Sequence, residues 1–150
     1  MPRSSSTFVT LAEQIRQAVN PQIVLHHPSE GSGALYSIIF TDRPENPAHH
    51  SRNVTIFGHG QVDRSPTGVG LSARLALHDV RKEVAEHEEL VIESILGAAS
   101  TLTCRIVGHT QVGSYPAVIP EISGQALLTG YHELLLDPRD ALGGGFLLVR

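Results

Sequence analysis

DRSPTGVGLSA, residues 63–73, is the stretch that decides the fold. It brings a carboxylate, hydroxyls and two glycines to a predicted helix start, because a strand-like run from Asn53 to Phe57 precedes it and a helical pattern from Leu71 to Val84 follows it. A helix that begins directly after such a turn exposes unpaired backbone N–H groups at the positive end of its dipole. The order of strand, turn and helix therefore predicts a site for a small carboxylate ligand.

Length, composition and charge narrow the class of protein. The chain has 150 residues, 41% of them hydrophobic, which predicts a single domain over residues 1–150. The formal net charge is -4 and the 11 basic residues are spread along the chain, so neither nucleic acid nor an anionic membrane is an expected partner. No apolar run is long enough to cross a bilayer, and residues 1–6 lack the apolar segment of a secretory signal. The single cysteine, Cys104, excludes an internal disulfide, and we expect a cytoplasmic location.

Two helices are predicted from periodicity. Thr10 and Glu13 are spaced as a capping box, and apolar residues then recur at helical intervals up to Val19. The second helix, at 71–84, is apolar over most of its first half, as expected of a helix enclosed on several sides. It is the predicted centre of the fold.

The remaining pattern is one of short strands. Residues 34–40 predict a strand, and the turn-forming residues 42–47 predict an exposed loop that leads to His49 and His50. Four later strands are predicted at 90–96, 102–107, 117–122 and 125–136. Three glycines at 143–145 separate residues 146–150, which we expect to pair as an edge strand or to dock elsewhere. The sum is a mixed α+β fold.

At this point the residues resemble a known family. Residues 58–76, GHGQVDRSPTGVGLSARLA, closely resemble the second active-site motif of the proline racemase family, which includes proline racemase, 4-hydroxyproline epimerase and trans-3-hydroxy-L-proline dehydratase. Residues 93–97, ESILG, residues 116–124, PAVIPEISG, and residues 136–140, LDPRD, look like later blocks of that family in the same order. The resemblance extends over nearly the whole chain from about Leu11 onward.

The resemblance implies a fold of two similar α/β lobes, as in diaminopimelate epimerase, each a mixed sheet wrapped round a central helix. The substrate is expected between two helix N-termini, and this chain looks like the second lobe only. Racemases of the family use one cysteine from each lobe, and here Thr67 stands at the position of the second cysteine. An alkyl hydroxyl does not act alone as a base at neutral pH, so two-base racemisation is disfavoured.

Threonine at this position is typical of the dehydratase branch, which implies loss of water from trans-3-hydroxy-L-proline without a cofactor. In that reaction the backbone N–H groups of Gly68 and Val69 would hold the substrate carboxylate, and Asp63 would hold the ring ammonium. Thr67 would contact the substrate or assist the leaving hydroxyl. His59, four residues before Asp63, is expected either at the mouth of the pocket or in solvent.

The departures from the family pattern matter equally. Val69 replaces the usual Thr or Ser, and no segment of the Met-Cys-Gly-His type, the family's first motif, occurs in these residues. Cys104 lies in a predicted strand and is expected to be a small buried hydrophobic residue. We therefore expect half of an active site, inactive alone.

Three functional hypotheses remain. The first is a dehydratase lobe that needs a first lobe. The second is a non-catalytic lobe that binds an imino acid or associates with itself or another chain, and an exposed apolar interface would favour it. A racemase or epimerase is the third. No spacing of the nine histidines is typical of a metal site.

Overall fold

The computed structural model describes residues 5–145. Residues 146–150, for which an edge strand or docking is predicted, lie outside the described residues. The elements in chain order are α1 Ser5–Val19, β1 Leu25–His27, β2 Gly31–Gly33, β3 Ile38–Asp42, β4 Ser51–Ile56, α2 Gly68–Arg81, β5 Leu90–Ser94, β6 Gly97–Val112 and β7 Tyr115–Ser123.

Five of the strands form one mixed sheet in the order β3-β4-β5-β6-β7. Neighbouring strands are antiparallel except β4 and β5, which are parallel. Parallel neighbours need a crossover connection, and α2 supplies it. β1 and β2 pair separately as a small hairpin. The α+β prediction is confirmed.

The two faces of the sheet carry different helices. On one face α1 packs on β3 and β4, where Ala12 meets Val54 and Ile56. Side chains alternate between the faces of a strand. Asn53 and Thr55 therefore point to the opposite face, which is the face of α2 and of the turn before it.

The larger core lies under α2. Leu71 and Leu75, one turn apart, are buried against apolar side chains of β5 and β6. The same helix leaves Leu77 and Val80 exposed, at 46% and 72%. Thus α2 buries one stripe, and the prediction of a helix enclosed on several sides is wrong for the side chains that point away from the sheet. The buried partners on the strands are Leu90, Ile92, Cys104 and Ile106.

The first helix begins earlier than the sequence pattern predicts, and the second ends earlier. The capping box is wrong, because α1 extends from Ser5 and the Thr10 hydroxyl donates to the Ser6 carbonyl inside the helix. Glu13 pairs with Arg16 instead of reaching back to a cap. α2 begins at Gly68 and ends at Arg81, since Lys82 takes a left-handed conformation (φ 58°) that stops it.

The predicted strand at 125–136 is wrong. These residues have no regular structure, and their large apolar side chains are exposed. A strand needs a partner for its backbone groups, and no described strand pairs with this segment. The exposed side chains are Leu127, Leu128, Tyr131, Leu134, Leu135 and Leu136.

The other differences concern boundaries. β3 begins at Ile38, so the predicted 34–40 strand is shifted toward the C-terminus, and β6 is much longer than the predicted 102–107. His26 and His27 form part of β1. Within residues 5–145, neither helix has the length and apolarity required to traverse a bilayer.

Candidate functional site

A tight turn after β4 carries the chain back along that strand. The Phe57 N–H donates to the Gln61 carbonyl at 2.9 Å, and Ile56 then bridges Val62 in antiparallel fashion. The Asp63 N–H donates to the Thr55 carbonyl at 3.0 Å. These contacts place the 63–67 segment beside β4, on the side from which α2 starts.

Asp63 is the centre of this segment. Its Oδ1 accepts hydrogen bonds from the Ser65 N–H at 2.9 Å and the Ser65 hydroxyl at 3.1 Å. Burial alone would raise the pKa of Asp63, but the hydrogen bonds from Thr67, Ser65 and the Arg64 N–H outweigh it and hold the pKa below its ordinary value. The carboxylate is therefore ionised at neutral pH.

Thr67 makes the shortest contact of the segment. Its Oγ1 lies 2.6 Å from Asp63 Oδ2 and 2.8 Å from Thr55 Oγ1. An ionised carboxylate only accepts, and a hydroxyl has one proton. Thr67 therefore donates to Asp63, and the buried Thr55 hydroxyl donates to Thr67. One lone pair of Thr67 Oγ1 remains for a ligand.

The backbone of Thr67 is as unusual as its hydrogen bonds. Its φ of 66° lies in the left-handed region, which costs a non-glycine residue about 1–2 kcal/mol. Thr67 is the N-cap of α2, yet its hydroxyl makes no capping bond. Among the described residues, no acceptor pairs with the N–H groups of Gly68, Val69 or Gly70. These three donors remain at the positive end of α2.

The glycines and Val69 fit this geometry in different ways. A Cβ added to Gly70 would lie 2.5 Å from Ile39 Cδ1, so Gly70 lets the first turn of α2 approach β3. A Cβ on Gly68 would have its nearest neighbour at 3.9 Å. The Val69 side chain is 85% exposed, so Val69 offers the site its N–H.

His59 is not brought to this group. It is exposed in the 57–61 turn, beyond the bridge between Ile56 and Val62, whereas Thr67 contacts Thr55 on the near side of that bridge. Asp63, Thr67, Gly68 and Val69 do lie together. Thr55 is a site residue that the sequence did not indicate. It belongs to the predicted strand, but a strand pattern does not show that its hydroxyl meets that of Thr67, twelve residues away.

Cys104 lies in the core under α2, 2% exposed. Burial raises its pKa to about 11, against the opposing effect of Arg74. About one thiol in ten thousand is then ionised at pH 7, so Cys104 is not equipped to act as a base.

Several histidines pair with carboxylates elsewhere. His49 Nδ1 lies 2.8 Å from Oε1 of the fully buried Glu93, which fixes the loop before β4, and His78 Nδ1 lies 2.7 Å from Glu83. In the part of the chain that the structure describes, no three His, Cys, Asp or Glu side chains are grouped so as to hold a metal ion.

Fold and site together define an α+β lobe that presents a carboxylate, a hydroxyl and free helix N–H groups on one surface. The family model described as "Proline racemase" matches residues 1–147, and the chain belongs to that family. It is 38% identical over 149 residues to a trans-3-hydroxy-L-proline dehydratase of Colwellia psychrerythraea and 37% identical over 148 residues to a proline racemase of Clostridioides difficile. These matches cover 99% and 98% of this chain but only 41% and 44% of those proteins.

A solved structure shows the same fold. A hydroxyproline epimerase from Agrobacterium vitis, with bound trans-4-hydroxy-L-proline, matches with a TM-score of 0.78 and 37% identity over 95% of this chain and 40% of that one. The predicted family and the predicted fold class are therefore confirmed. The chain spans about two fifths of the length of these relatives.

Proposed function

We propose that this chain is the second lobe of a cofactor-independent trans-3-hydroxy-L-proline dehydratase and is inactive without a complementary lobe. The observation that carries the proposal is the short contact between Thr67 and Asp63 beside the unpaired N–H groups of Gly68 and Val69. Relatives named for hydroxyproline or proline chemistry support the imino-acid substrate class.

The proposed binding roles follow from charge. The substrate carboxylate accepts hydrogen bonds from the Gly68 and Val69 N–H groups, where the helix dipole favours an anion. The ionised Asp63 accepts hydrogen bonds from the ring ammonium. His59 stands outside the contacts that join these residues, and any role for it is confined to the approach to the site.

The proposed reaction is an elimination. A cysteine thiolate of the complementary lobe takes the proton from Cα, and the carbanion is stabilised because its charge spreads onto the hydrogen-bonded carboxylate. The bond from C3 to its hydroxyl breaks, and the proton that the cysteine took from Cα passes to this oxygen, so that water leaves and the thiolate is restored. The resulting enamine rearranges to the imine Δ1-pyrroline-2-carboxylate. No step consumes an oxidant, a reductant or a cofactor.

Thr67 favours elimination over inversion. Racemisation requires a second base on this lobe, and the hydroxyl of Thr67 already donates its proton to an ionised carboxylate. With that proton engaged, Thr67 accepts a hydrogen bond from the substrate instead of protonating the leaving group. Cys104 is no substitute, because it is buried in the core with a pKa of about 11.

One observation favours a second candidate function, that of an interaction lobe without catalysis. The 125–136 segment exposes Leu127, Tyr131 and Leu135 at 85%, 90% and 89%. Contiguous apolar exposure of this kind marks a surface that a partner covers. A complementary lobe or a second copy of the chain is the proposed partner.

A chimera tests the dehydratase proposal. The matching 149 residues of the Colwellia psychrerythraea dehydratase are replaced by this chain, so that the relative supplies the rest of the protein. With trans-3-hydroxy-L-proline we expect Δ1-pyrroline-2-carboxylate and no epimer, whereas Thr67→Cys should add epimerisation.

Two valine substitutions compare the Thr67 hydroxyl with a hydroxyl outside the site. Thr67→Val keeps the shape of the side chain without its hydroxyl and should lower kcat/KM, whereas Thr110→Val, on an exposed position of β6, should not. A folded chimera that forms no pyrroline carboxylate, or that epimerises with Thr67 intact, contradicts the proposal.

A further inference from the structure

A chain of hydrogen bonds runs from the middle of α2 to the turn that precedes it. Arg74 donates from Nη2 to Ser51 Oγ at 2.9 Å and from Nη1 to Asn53 Oδ1 at 3.0 Å. The Asn53 amide then donates from Nδ2 to the Pro66 carbonyl at 2.8 Å. Three separate parts of the chain, β4, the turn and α2, are joined in this way.

This chain is enclosed by protein. Asn53 and Ser51 are 2% and 8% exposed, and Pro66 is buried as well. Burial lowers the pKa of Arg74, yet a guanidinium remains charged at neutral pH. In the 5–145 region no carboxylate forms an ion pair with Arg74, so its charge is balanced only by neutral acceptors. Keeping a charge partly buried without a counter-ion is costly, and this cost indicates that the contacts of Arg74 have a role.

The peptide between Pro66 and Thr67 is held on both of its edges. Its carbonyl accepts from Asn53, and its N–H donates to Ser65 Oγ at 3.0 Å. A peptide unit is planar, so fixing both edges fixes the direction in which the chain enters Thr67. Thr67 then adopts its left-handed φ, which aims the first N–H groups of α2.

We propose that Arg74 and Asn53 are positioning residues for the anion-binding N–H groups of Gly68 and Val69. Neither touches the substrate. Arg74 holds the Asn53 amide in one orientation, and Asn53 holds the Pro66 carbonyl, so that the helix start keeps its geometry before a ligand arrives. The positive charge of Arg74, which lacks a carboxylate partner among the described side chains, also favours an anion at that end of α2. This inference rests on the proposed function of the same site.

The test uses amide NMR of the whole chain and four variants. Arg74→Met removes the charge and both hydrogen bonds, Arg74→Lys restores the charge and one donor, and Asn53→Asp keeps the acceptor for Arg74 but removes the donor to Pro66. Arg105→Met is the matched control, since Arg105 forms exposed ion pairs with Glu89 and Glu121 on another part of the sheet.

In the free protein, the Thr67, Gly68 and Val69 amide signals should move in Arg74→Met and in Asn53→Asp, and stay in place in Arg105→Met. Titration with trans-3-hydroxy-L-proline should then show about tenfold weaker binding in Arg74→Met, with partial recovery in Arg74→Lys. If Arg74 had only a structural role, Arg74→Met would lower the stability of the fold, but the affinities of the variants would not follow this order.

The two proposals fail in different ways. If the unaltered chain shows no saturable change at Gly68 and Val69, the proposed function fails, and the free-protein signals still decide on Arg74. If Arg74→Met keeps those signals in place, or binds within twofold of the unaltered chain, the positioning role is overturned. Should Arg74→Met not fold, Asn53→Asp gives the same decision, because the Pro66 contact is lost while Arg74 is kept.

Discussion

Replacing Thr67 by valine removes the hydroxyl that contacts both Asp63 and Thr55 of β4. The change keeps the branched shape, so it tests hydrogen bonds and not packing. A hydrogen bond to a charged group is worth about 1.5–3 kcal/mol, and leaving the Thr55 hydroxyl, 1% exposed, without its partner costs about 1–3 kcal/mol. Because Asp63 is partly solvated and keeps its Ser65 contacts, we expect a loss of about 2–4 kcal/mol in the free energy of unfolding.

Urea denaturation followed by circular dichroism measures this loss, with Thr110→Val as the control. For a chain of this length the loss corresponds to a fall in Tm of about 5–15 °C. A cycle with Thr55→Val and the double variant should give a coupling energy of about 1 kcal/mol or more. If Thr67→Val costs no more than Thr110→Val, or if the two site substitutions are additive, the hydroxyl pair does not hold the turn and the reasoning is refuted.

Three further predictions concern Asp63, Cys104 and Gly70. Asp63 has a depressed pKa in the folded chain, so its stabilising effect is complete above its unfolded value of 3.8 and is lost as the pH falls through the folded value; Asp63→Asn should remove that part of the acid transition in a pH-dependent urea series. Cys104 should react with a thiol reagent at pH 8 at least about 100-fold more slowly in the folded chain than in urea. Because the pKa of Cys104 rises from 9.0 to about 11 on folding, the free energy of unfolding should decline between these two pH values, and Cys104→Ala should abolish this decline. Gly70→Ala should change the free energy of unfolding by less than about 1 kcal/mol, because its Cβ would meet only the terminal Cδ1 of Ile39, which can rotate away, and alanine favours the helix; a loss of more than about 2 kcal/mol on thermal unfolding would contradict this.

The part of the site that was predictable from sequence is the part that is local. Asp63, Thr67 and Gly68 lie within six residues, and a turn of that composition before a helix restricts the arrangement of its backbone. The resemblance to the family predicted the fold class correctly, because the motif at 58–76 is long and specific.

The contacts that hold this turn were not predictable. Asn53 lies 13 residues from Pro66, and Arg74 lies 21 residues from Asn53, so both depend on how α2 crosses the sheet. A sequence pattern marks Asn53 as a strand residue and Arg74 as a helix residue without indicating that they meet.

At residues 125–136 the sequence predicts a strand that the structure does not form. The apolar and β-favouring residues of this segment predict a strand, but strand formation depends on a neighbour that supplies hydrogen bonds. The prediction was wrong because the β propensity of a segment does not show whether such a neighbouring strand is present. In the same way, exposure of Val80 on α2 depends on which stripe meets the sheet.

The proposed function depends on a helix start that binds a carboxylate. Its most direct measurement is a pair of amide NMR titrations of the unaltered chain, with L-proline and with L-prolinamide, in which the carboxylate is replaced by a neutral amide. The account predicts saturable shifts of the Gly68 and Val69 N–H signals with L-proline and at least about tenfold weaker binding of L-prolinamide. Equal binding of the two ligands, or changes confined to other residues, would contradict it.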